Sequence, residues 1–63
     1  MAIDFNADEV FKIAEEIERN GAAFYRKAAE MFEDEGTKAT FLDLAAWEDQ
    51  HLRIFEDMHR EIT

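Results

Sequence analysis

Residues 45–55 read AAWEDQHLRIF, and nothing in this stretch would break a helix. An apolar stripe with helical spacings of three and four residues runs through it, formed by Leu44, Leu52, Phe55 and Met58. Glu48 and His51 lie on the same stripe, one turn apart. A helix that packs against a partner normally has apolar side chains at such positions. The stretch therefore predicts a helix that carries a polar site on its packing surface.

A second helix is predicted upstream. Asn6 and Glu9 in the sequence NADE have the spacing of a helix start, with Asn6 as the N-cap. Residues that suit a packed helix face then recur every three or four positions: Val10, Phe11, Ala14, Ile17, Gly21, Phe24, Tyr25, Ala28 and Phe32. Glu18 lies on this stripe as well. An ionised carboxylate is costly to bury without a partner, so each helix carries an acidic residue that calls for an explanation.

The two helices are joined around FEDEGT, residues 32–37. Two placements of the turn are open: either Gly36 ends the first helix, or Asp34 caps the second and Gly36 falls in its first turn. Residues that are level with each other in a helical hairpin are equally far from the turn, and residue 33 is midway between Glu18 and Glu48. We therefore prefer the second placement.

With this turn at about residue 33, helix 1 is expected over about residues 7–32 and helix 2 over about 35–61. The expected fold class is all-α, an antiparallel two-helix hairpin that forms a single domain over residues 1–63. A lone hairpin leaves one side of both stripes in water, and a second copy would close a four-helix bundle. We expect a homodimer or a higher even-numbered homo-oligomer, since a chain of 63 residues buries too little surface to be stable alone.

The composition limits the partners. Sixteen acidic residues against seven basic ones give a net charge of −9, which repels phosphates and attracts cations, so no nucleic acid is expected. The absence of cysteine excludes disulfides and thiolate metal sites. No apolar run approaches the roughly 20 residues of a membrane span. Because the first residues lack the basic and apolar blocks of a signal peptide, we expect a cytoplasmic protein without a membrane partner.

In such a dimer, two copies each of Glu18, Glu48 and His51 would converge in the bundle core. Two divalent cations would cancel the charge of the four carboxylates, and carboxylate-rich ligation with imidazole suits iron or manganese. The alternative is that Glu48 and His51 simply form hydrogen bonds at a wet edge of the dimer. The pattern favours a metal site.

Two motifs carry a family resemblance. ERNGAAFY at residues 18–25 and FLDLAAWEDQH at residues 41–51 resemble the rubrerythrin branch of the ferritin-like superfamily. The family pattern is E-x-x-G-x-x-F-Y on one helix and F-x-x-L-A-x-x-E-x-x-H on the next, and the resemblance covers about residues 8–60. It implies a ferritin-like four-helix bundle. It also implies iron ligands at Glu18, Glu48 and His51, with Tyr25 near the diiron centre as a fourth catalytic residue.

The resemblance implies an iron cofactor at two ions per dimer, one per chain, and a ferroxidase that oxidises Fe(II) with dioxygen or peroxide for iron storage or detoxification. Rubrerythrins carry four ligand helices and a rubredoxin-like domain, whereas this chain has two helices and no cysteine. A half-length chain is similar to the encapsulated ferritins, which implies an encapsulin shell as a further partner and location. The alternatives are a rubrerythrin-like enzyme that reduces peroxide or oxygen, and a non-catalytic helical dimerisation module.

The remaining polar and aromatic residues have simpler interpretations. Glu56 and His59 share the E-x-x-H spacing, but lie off or at the edge of the stripe and are expected on a solvated helix flank. A solvated acidic surface is expected from five residues, some of which would guide incoming Fe(II): Glu15, Glu30, Glu33, Asp34 and Asp49. Trp47 is either a contact between copies or ordinary packing. Gly21 costs about 1 kcal/mol relative to alanine within a helix. It indicates close helix approach or room for a metal beside Glu18, and the alternative is that the helix simply tolerates a glycine there.

Overall fold

The computed structural model describes residues 5–62 and contains two α-helices, α1 (Ala7–Glu30) and α2 (Glu35–Ile62), which pack against each other as a hairpin. The all-helical hairpin predicted from the sequence is confirmed. Helix α1 ends two residues earlier than predicted, because the Met31 amide donates to the Ala28 carbonyl at 3.0 Å in a tighter final turn. Neither helix is long and apolar enough to cross a membrane within the described residues.

Side-chain caps fix both helix starts. The Asn6 carboxamide oxygen accepts from the Glu9 amide at 2.8 Å, as the NADE sequence predicts. Asp34 accepts from both the amide and the hydroxyl of Thr37 at 2.8 Å, and these bonds lower the pKa of the Asp34 carboxyl. Gly36 therefore falls in the first turn of α2 and does not adopt a positive φ. The turn preferred from the sequence is the one that forms.

The seam between the helices is built from small residues. Its buried apolar members are all alanines: Ala22, Ala28, Ala29 and Ala45. Within residues 5–62 no large side chain is fully buried. Aromatic pairs extend the seam in both directions: Phe32 stacks on Phe41 near the turn, and Phe11 lies 6.5 Å from Phe55 toward the open end. Such a small core buries little apolar surface, so it contributes little hydrophobic stabilisation.

The two sides of the hairpin differ in polarity. One side carries ion pairs that cross between the helices, Arg26 with Asp49 and Arg19 with Glu56. The opposite side exposes large apolar residues with spacings of three, four and seven, which place them on one side of each helix. We call this set the apolar face: Val10, Ile13, Ile17 and Phe24 of α1 and its C-cap residue Met31, with Leu44, Trp47, Ile54, Met58 and Ile62 of α2. Contiguous exposed apolar surface on this scale is typical of an interaction site.

Candidate metal centre

Glu18 of α1 and Glu48 and His51 of α2 meet at the middle of the hairpin. Each offers one carboxylate oxygen or imidazole nitrogen, and these three atoms lie within 4.8 Å of one another. The Nδ1 atom of His51 is 3.5 Å from Oε2 of Glu18. The turn around residue 33 makes Glu18 level with Glu48, and the one-turn spacing on α2 adds His51. The structure thus brings together the three residues that the sequence proposed as ligands.

The pKa of Glu48 is perturbed by the rest of this cluster. Hydrogen bonding with Glu18 raises the pKa of Glu48, burial and the Glu18 charge add to this, and His51 opposes it. A carboxyl pair can form such a bond only while one member carries the proton, since ionised carboxylates only accept. Oε2 of Glu18 is buried and has no hydrogen-bond partner among the described residues, although Nδ1 of His51 lies 3.5 Å away. Two carboxyl groups held this close together form a site that favours a cation.

The donors fit a divalent transition-metal ion. Carboxylate oxygens combined with one imidazole nitrogen are ligands that iron and manganese accept, and no thiolate competes. The Glu18 side chain is 15% exposed, so an ion there would supply the partner that its buried oxygen lacks. His51 is 48% exposed, and its ring lies 6.5 Å from the ring of Trp47 on the apolar face. The imidazole of the cluster is thus half-exposed and lies beside the apolar face.

Tyr25, the fourth predicted site residue, lies in an aromatic cluster. Its ring is 5.6 Å from the Phe24 ring, edge-on, and 6.3 Å from the Phe41 ring. Within residues 5–62 it makes no hydrogen bond to Glu18 or to either ligand candidate of α2. These contacts support a packing role toward the turn, and the catalytic role of Tyr25 stays a prediction.

His59 was wrongly placed on a solvated flank, and Glu15 on a solvated surface. The His59 side chain is only 17% exposed: Nδ1 is 2.7 Å from Oε2 of Glu15, and Nε2 is 2.6 Å from Oδ1 of Asp8. Its ring stacks on Phe11 at 5.6 Å. Glu15 is 7% exposed and also faces Arg19 at 3.8 Å.

This contact joins the two ends of the chain. Ionised carboxylates only accept hydrogen bonds. Both nitrogens of the His59 ring must therefore carry protons if His59 is to donate to Asp8 and to Glu15 at the same time. The bonds to Asp8 and then to Glu15 raise the pKa of His59, and the bond to His59 is the largest cause that lowers the pKa of Asp8. One feature of the sequence pointed to this contact: His59 lies two turns after Leu52, at the edge of the apolar stripe that packs against α1.

Glu56 and Trp47 differ in their surroundings in the hairpin. Glu56 is half-buried and pairs with Arg19 at 3.6 Å, so it is not a freely solvated flank residue. Trp47 is exposed on the apolar face, which excludes ordinary packing inside one hairpin.

No protein-family model, curated protein or solved structure matches this chain. The resemblance to the rubrerythrin branch therefore rests on the two sequence motifs.

Proposed function

We propose that two copies of this chain pair through their apolar faces and oxidise Fe(II) at a site formed by Glu18, Glu48 and His51 of both copies. The observation that carries the proposal is the buried Oε2 of Glu18, which accepts no hydrogen bond from residues 5–62 although it lies in a group of three side chains that could hold a metal, with Nδ1 of His51 3.5 Å away. A role in helix packing alone does not explain this oxygen, because a buried carboxylate oxygen that accepts no hydrogen bond is destabilising. An iron ion would satisfy it.

The dimer is needed on two independent grounds. Residues 5–62 of one chain bring together three donor side chains, whereas iron sites of this kind use more ligands and bridging carboxylates. The apolar face is also left in water in a single hairpin, and a matching face would cover it. A pairing of equal faces about a two-fold axis is the commonest arrangement of a homodimer. It would place two clusters together and give one iron per chain.

Fe(II) is the substrate of the proposed reaction, and the oxidant is dioxygen or peroxide. With hydrogen peroxide, two Fe(II) ions each give up one electron, the oxygen–oxygen bond breaks, and two protons complete two water molecules. The residues hold the two ions and leave positions open for the oxidant. A bound cation favours the ionised form of nearby carboxyl groups, so it should oppose the influence of Glu18 that raises the pKa of Glu48.

Anaerobic titration with Fe(II), followed by metal analysis and mass measurement, tests the proposal. We expect one iron per chain in an even-numbered oligomer, and rapid oxidation when dioxygen is admitted. Glu18→Gln and Glu48→Gln should each abolish Fe(II) uptake and Fe(II) oxidation. Glu16→Gln makes an equal charge change at an exposed site and should leave uptake and oxidation unchanged. A wild-type chain that takes up no Fe(II) would end this proposal.

A non-catalytic dimerisation module is the second candidate, since the apolar face could pair two hairpins without any metal. It predicts that Glu18→Gln changes neither metal content nor Fe(II) oxidation. A third outcome, turnover of peroxide that requires an added reductant and forms no ferric product, would favour a rubrerythrin-like activity. The same variants therefore separate the three functions.

A further inference from the structure

The inference concerns Gly21, one turn after Glu18 on α1, and it rests on the proposed iron site. Neither backbone geometry nor a turn explains a glycine here, because Gly21 lies inside α1 and has no positive φ. Glycine is also among the least favourable residues within a helix. A reason for it must therefore come from what lies against it.

The Glu48 side chain lies directly over Gly21. A Cβ atom on Gly21 would be 3.3 Å from Oε2 of Glu48, 3.5 Å from Cδ and 3.6 Å from Cγ. The first distance is tighter than ordinary van der Waals contact, so the carboxylate would have to move by a few tenths of an ångström. Backbone atoms of α1 thus form the surface on which this carboxylate rests.

We infer that Gly21 is a positioning residue for the metal site: its missing side chain lets the Glu48 carboxylate settle against α1, beside Glu18. A methyl group there would push the carboxylate off α1. Metal sites depend on ligand distances held to about 0.2 Å, so a shift of that size is large for a metal and small for the fold. Supporting residues of this kind typically change metal affinity about ten- to a hundredfold.

The test compares Gly21→Ala with Asn20→Ala by anaerobic calorimetric titration of Fe(II) and by thermal melting in a metal chelator. Asn20 is the exposed neighbour, so its substitution adds alanine to the same helix without touching Glu48. We expect Gly21→Ala to melt at an equal or higher temperature without metal and to bind Fe(II) about ten- to a hundredfold more weakly. Asn20→Ala should change the affinity by less than about twofold. A merely structural role of Gly21 would not give opposite changes in stability and affinity.

Adding Glu48→Asp to Gly21→Ala provides a second measurement, because the shorter side chain avoids the new methyl group. The effects of the two substitutions on Fe(II) affinity should then be less than additive. Three results would each overturn the inference while leaving the iron site intact. The effects of the two substitutions on Fe(II) affinity could be fully additive, Gly21→Ala could bind Fe(II) as tightly as wild type, or Gly21→Ala could lose its helix content in chelator. Failure of the wild-type chain to bind Fe(II) would instead remove the proposed function, and the inference with it.

Discussion

The apolar face makes a quantitative prediction at Phe24. This residue is 66% exposed in the hairpin, and a phenylalanine offers about 200 Å² of surface, so about 130 Å² per copy is available to a partner. At about 25 cal/mol per Å², burial of that area would contribute about 3 kcal/mol per copy, or about 6 kcal/mol per dimer. This is an upper limit for Phe24→Ala, because alanine keeps part of the contact and a partner need not cover the whole ring.

The assay is a dilution series of wild type and Phe24→Ala by sedimentation velocity in chelator, so that metal does not contribute. Even a third of the upper limit, about 2 kcal/mol, would weaken the dimer by more than tenfold. Because the hairpin core consists of alanines, dissociation should also lower helix content, and the melting temperature should depend on protein concentration.

Leu42→Ala is the matched control, since Leu42 is also exposed but lies outside the apolar face, beside Arg26 and Lys38. It should leave the dimer constant unchanged within a factor of about two. A wild-type chain that stays monomeric and folded with a concentration-independent melt would refute the reasoning. Equal weakening by both substitutions would show that the apolar face is not the interface.

The remaining predictions concern the hairpin itself. The bonded imidazolium of His59 should stabilise it fully below the ordinary histidine pKa of about 6.5, and this contribution should be lost as the pH rises through the raised value; His59→Gln should flatten the urea-unfolding profile across that window. Removing the cap with Asn6→Ala should lower the free energy of unfolding by about 1 kcal/mol. Ala22→Leu should overpack the buried seam and cost about 1–3 kcal/mol in a chemical melt, whereas Ala23→Leu on the exposed side should cost little.

The helix period explains why the ligand cluster was predictable. Residues three and four positions apart share a face, so Glu48 and His51 had to lie together, and Glu18 had to lie on the packing stripe of the other helix. The capping residue Asp34 fixed the turn, and the turn fixed which residues of the two helices are level. Helical spacing and helix capping each depend on residues a few positions apart, so they can be predicted from the sequence.

The contact of His59 with Asp8 and Glu15 has a different origin. These residues are separated by 51 and 44 positions, so their pairing depends on how closely the helices approach and how they rotate at the open end. Helical spacing places a side chain on a face to within about a third of a turn, which cannot separate a half-buried edge from a solvated flank. The packed hairpin decides that question.

The sequence by itself therefore determined the two helices, their caps, the turn and the three ligand candidates, because each follows from spacing along the chain. Only the tertiary structure showed that Oε2 of Glu18 is buried and accepts no hydrogen bond from residues 5–62, that the Glu48 side chain lies over Gly21, and which apolar residues of each helix stay exposed. Burial and contact distances depend on atoms from both helices at once, so the spacing of residues along a single helix cannot predict them.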